Sequence, residues 1–85
     1  MYMTRGELDR ADAMLKRALI LSEELGFKEG KAAAATNLGL ISQRRGEAAR
    51  ACQRLAQGRD LFREIGSATA AQVEGWMRDV GCPEG

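Results

Sequence analysis

The chain resembles itself at an offset of 40 residues. Arg5-Gly6-Glu7 falls on Arg45-Gly46-Glu47, Arg10 and Ala11 fall on Arg50 and Ala51, and Leu15, Leu21, Glu24 and Gly26 meet Leu55, Leu61, Glu64 and Gly66. Leu25 and Ile65 agree in kind. A period of this length marks a supersecondary unit that buries its apolar face by stacking on the next unit.

The residues between the matched positions have helical periodicity. Leu8, Ala11, Leu15 and Ala18 recur at three- and four-residue steps, which places them on one helix face. Ala48, Ala51 and Leu55 repeat the pattern, followed by Leu61, Phe62 and Ile65. Ala34, Ala35, Leu38 and Ile41 form a stripe between them, with Ser42 on its edge. Val73, Trp76, Met77 and Val80 form a last stripe, with Gln72, Glu74, Arg78 and Asp79 on the other side. Gly6 and Gly46 suit tight turns, and Gly26 and Gly66 suit helix ends. Four helices are therefore expected, at roughly 6–25, 29–45, 47–65 and 67–80. Short turns make neighbours antiparallel. The single proline, Pro83, lies beyond all of them.

Eighty-five residues make one domain, 1–85, with a thin core. Apolar residues are 45% of the chain but aromatics only 5%, which favours helices rich in Ala and Leu over a sheet. The net charge of +1 gives no strong field to draw nucleic acid or a membrane surface. No apolar run approaches the length of a membrane span. Met1-Tyr2-Met3 leads straight into polar residues, without the opening of a signal segment. A cytoplasmic protein is expected. Cys52 and Cys82 fit no metal spacing and are read as two reduced thiols, one part-buried and one in the tail, with a disulfide the lesser alternative.

Thr36-Asn37-Leu38-Gly39-Leu40-Ile41, then Arg45-Gly46-Glu47, then Ala51 and Leu55, resemble the tetratricopeptide repeat. The 40-residue period is similar to its longer subclass, in which an Asn-Leu-Gly signature recurs in the leading helix. The resemblance implies an all-α fold of antiparallel hairpins stacked as a short solenoid. It divides the chain into a partial first repeat (1–26), a complete repeat (27–66) and a C-terminal capping helix (67–81) in which Trp76 covers the end of the stack. On this pattern Tyr2 takes the aromatic place before the first turn, Leu38 is a knob into its partner helix, and Gly39, Ala11 and Ala51 allow helices to approach closely. Ser42 departs from the pattern, standing where an aromatic is usual. Gly58 stands where Ala is usual, and a glycine there softens its helix. The chain also opens inside a repeat, leaving the 6–25 helix with little cover.

The resemblance implies a protein-interaction scaffold that binds a peptide or helix of a partner through a concave groove. The groove would be lined by Ala33, Thr36, Asn37, Leu40, Gln43 and Arg44. Asn37 offers a donor and an acceptor to an extended backbone. Leu40, beside Ala33 and Thr36, would form an apolar floor. The alternative is self-association, a homo-oligomer that buries the open face of the first helix. Six arginines against two acids between Gln43 and Arg63, and six acids against four basic residues between Glu7 and Glu29, read as solvated faces. The same asymmetry would also suit an acidic peptide or head-to-tail contact. No enzyme is expected. Histidine is absent, which removes the usual base for a Ser or Cys nucleophile. Glu23-Glu24 and Asp9 with Asp12 are ordinary surface carboxylates. No phosphate cradle or calcium loop is present, so no cofactor or metal is expected.

Overall fold

The computed structural model describes residues 4–83. Tyr2, to which the repeat pattern gives an aromatic role, lies outside them. Four α-helices account for most of the rest: α1 (Arg5–Leu25), α2 (Lys28–Arg44), α3 (Ala48–Glu64) and α4 (Thr69–Val80). The boundaries lie within two residues of those read from the sequence.

The turns share one mechanism. Gly26, Gly46 and Gly66, spaced 20 residues apart, adopt positive φ of 67°, 78° and 70°. That conformation disfavours a side chain. After each, the next amide turns back onto the helix it has left. Phe27 N donates to Ser22 O at 2.8 Å, Glu47 N to Ser42 O at 2.9 Å and Ser67 N to Phe62 O at 2.8 Å. These bonds satisfy carbonyls that a helix end leaves unpaired. Cys82 N closes α4 on Met77 O in the same way.

Gly6 departs from its counterpart. It lies inside the first turn of α1 without positive φ. The helix starts earlier because Thr4 and Glu7 form a capping box. Glu7 N donates to Thr4 Oγ1 at 3.1 Å, and Thr4 N to Glu7 Oε1 at 3.3 Å.

Each helix packs extensively only on its sequence neighbours: α1 on α2, α2 on α3, and α3 on α4. The core follows that order. Leu19, Ala34 and Leu38, with half-buried Leu15, join α1 to α2. Ala32, Leu55, Phe62, Ala70, Val73 and Met77 join α2, α3 and α4. Trp76 and Val80 lie half-buried against this cluster, so α4 covers α3 with the stripe read from its sequence.

Small residues set the distance between α2 and α3. Ala32, Ala35 and Ala51 are fully buried. A Cβ on Gly39 would lie 2.8 Å from Leu55 Cγ and 3.1 Å from Leu55 N. Only hydrogen fits there, so the close approach expected at Gly39 is present. Gly58 is its counterpart on α3, where a Cβ would meet Thr36 Oγ1 at 2.0 Å and Ala32 O at 3.0 Å. Glycine at position 58 makes room for α2.

The cysteines are corrected. Cys52 and Cys82 form a disulfide with a Cα–Cα separation of 5.5 Å, and neither is a free thiol. The bond ties the residue after the α4 cap to α3. The sequence separation of 30 residues closes once α4 has folded back along α3.

Candidate functional site

The six groove residues do not form one surface. Ala33 and Asn37, one helical turn apart on α2, are exposed on one face. Gln43 and Arg44 are exposed at its C-terminal end. Leu40 is half-buried and packs against the cluster that joins α2, α3 and α4, as Trp76 and Val80 do.

Thr36 belongs inside. It is 4% exposed, and its Oγ1 donates to Ala32 O at 2.8 Å. The hydroxyl faces the gap at Gly58. Its place in the groove is therefore corrected: the absence of a side chain at 58 draws α3 onto Thr36. The surface that remains on α2 is a narrow polar strip with Ala33 and Asn37 at its centre.

Arg44 leans toward the other end of the molecule. With Arg5, Leu8, Asp9, Arg45 and Glu47 it lines a depression of about 440 Å³ between the start of α1 and the end of α2. Asp9 pairs there with Arg45. The arginine-rich stretch is largely matched by acids in space. Arg50 pairs with Glu47, Arg59 with Asp60 and Arg63 with Glu74, and α1 supplies Asp9. Exposed pairs of this kind each contribute between nothing and about 1 kcal/mol.

The apolar surface lies elsewhere. Met14, Leu21 and Leu25 on α1 are 70%, 54% and 71% exposed. The half-buried Ala11 and exposed Ala18 complete their row, at steps of three, four, three and four. Leu8, Leu15, Leu19 and Ser22 occupy the adjoining face and are covered or partly covered by α2. The apolar arc of α1 is thus wider than the one helix packed against it. The sequence stripe of Leu8, Ala11, Leu15 and Ala18 spans this arc, and the structure splits it into a covered row and an open row. Periodicity marks a face but not how much of it a neighbour reaches.

Among the described residues no group of three or more acids or cysteines is placed to hold a metal ion, and no helix is long and apolar enough to cross a membrane. No protein-family model, curated protein or solved structure matches this chain.

Proposed function

We propose that this chain binds protein, as a helical-hairpin interaction module of the tetratricopeptide kind, without catalytic activity of its own. The observation that carries the reading is the uneven cover of its helices. The α2–α4 core is closed, while α1 leaves three large apolar side chains more than half exposed in one row. Contiguous exposed apolar surface of this kind is a mark of contact sites, protein–protein contacts among them.

The repeat reading draws support from the packing of helices on sequence neighbours alone and from the 20-residue spacing of the turn glycines. In such an array α2 and α4 are leading helices and share the inner surface. Leu40 of α2 and Trp76 of α4 pack against one cluster, consistent with that arrangement. Ala33 and Asn37 then offer a small side chain and an amide to a partner's extended segment. Panning a peptide display library against the chain tests this surface. Enriched peptides should lose at least tenfold in affinity on Asn37→Ala or Ala33→Arg, since each 1.4 kcal/mol is a factor of ten. Peptides indifferent to both changes would refute a binding role for this face.

A second reading, self-association, is favoured by the row on α1. A cytoplasmic location belongs to the same proposal, although a disulfide such as Cys52–Cys82 persists in oxidising compartments.

A further inference from the structure

The open row of α1 has the spacing of a coiled-coil seam. Ala11, Met14, Ala18, Leu21 and Leu25 alternate steps of three and four, the pattern that keeps a seam facing a partner helix. Arg17 and Glu24 flank the seam on the side away from α2, seven residues apart and both exposed. Neither has an ion-pair partner among the described residues. The other charged residues of α1's second half, Lys16 and Glu23, already pair with Asp12 and Lys31.

We propose that the occupant of this row is a second copy of the chain, with the two α1 helices antiparallel about a twofold axis. The inference rests on the self-association reading above and specifies its register. Met14 lies opposite Leu25 of the other copy, and Ala18 opposite its Leu21. Each layer sets a smaller or more flexible side chain against a branched one. In this register Arg17 falls beside Glu24 of the other copy, and symmetry makes the pair twice. A parallel arrangement would place Arg17 beside Ser22, which is neutral and buried against α2, so the charges favour the antiparallel one. With the aliphatic stem of Arg17 added, the overlapping stretch from Met14 to Leu25 offers on the order of 400 Å² per copy and about 800 Å² per pair, the size of a weak, transient contact. A reversible dimer of modest affinity is expected.

Sedimentation equilibrium of the full chain at low salt, over a series of micromolar concentrations, tests the register. The wild type should follow a monomer–dimer equilibrium. Arg17→Glu sets Glu against Glu twice, and Glu24→Arg sets Arg against Arg twice. Each should weaken the dimer about tenfold or more. An equimolar mixture of the two variants should recover the association, because both mixed contacts are then complementary. The double variant should recover it as well. Leu21→Arg should be monomeric with an unchanged helical circular dichroism spectrum. A wild type that stays monomeric overturns the proposal and leaves the α2 face to its own test. Dimers indifferent to the charge swaps, or a mixture no better than its components, overturn the register.

Discussion

Gly58 and Thr36 meet face to face across α2 and α3: a Cβ at position 58 would lie 2.0 Å from the Thr36 hydroxyl oxygen. That hydroxyl is held by its bond to Ala32 O, and Thr36 is branched at Cβ. Rotating it away would break that bond, and Thr36 Cβ would still lie 3.2 Å from the added carbon. Gly58→Ala should therefore lower stability by up to about 2 kcal/mol, the overpacking cost of about 1–3 kcal/mol being offset by the roughly 1 kcal/mol gained in helix propensity. Adding Thr36→Ala should recover part of the loss, as Ala32 O remains 3.0 Å away. Urea unfolding of the two single variants and the double variant measures the coupling. A Gly58→Ala protein more stable than wild type would show that the helices are not this close.

Gly39 faces a similar limit against Leu55. There the nearest atoms include the backbone N of Leu55, which has no rotamer to change. Gly39→Ala should cost up to about 2 kcal/mol, overpacking of about 1–3 kcal/mol less the roughly 1 kcal/mol gained in helix propensity, seen as a lower urea midpoint. Shortening the neighbour in a Gly39→Ala/Leu55→Val protein should not fully restore it, since the backbone contact persists. Complete restoration would place all the crowding in the side chain.

These two contacts show how far the sequence could be read. The helices were legible because apolar steps and glycines agreed at every level from turn to repeat. Gly39 was legible as a close approach through its place in the repeat pattern. Gly58 read as a softening of α3, because its reason lies on another helix, at Thr36. Thr36 read as a groove residue because the repeat resemblance implies it, yet it follows Ala32 by four and precedes Gly39 by three, and that row faces α3. Gly6 suits a turn by analogy with Gly46, but the Thr4–Glu7 capping box begins α1 earlier. The disulfide left no local signal. Two cysteines 30 residues apart become neighbours only through the fold.

The disulfide stabilises the pairing of α3 with α4 by restricting the unfolded chain. For a loop of this length the contribution is about 2–4 kcal/mol. Reduction, or Cys52→Ala with Cys82→Ala, should lower the urea midpoint accordingly and raise amide exchange first in α4. Superimposable unfolding curves with and without reductant would mean that the bond adds nothing to stability.

At the other end, the capping box decides where α1 begins. Thr4→Ala should cost about 1 kcal/mol, and Glu7→Ala less, because Thr4 Oγ1 satisfies an amide that would otherwise point into solvent. Amide exchange of the first turn of α1 should rise in Thr4→Ala and stay unchanged beyond Leu15. Unaltered exchange in that turn would show that water replaces the cap without loss.

Protein contact should take place on the open row of α1 and not on the closed core. Methyl-detected NMR across a dilution series, with Met, Leu and Val methyls labelled, tests it directly. The methyls of Met14, Leu21 and Leu25 should shift together with concentration and fit one dissociation constant, while those of Leu38, Leu55 and Val73 stay fixed. Concentration-dependent shifts confined to α3 and α4, or none on α1 at any concentration, would contradict it.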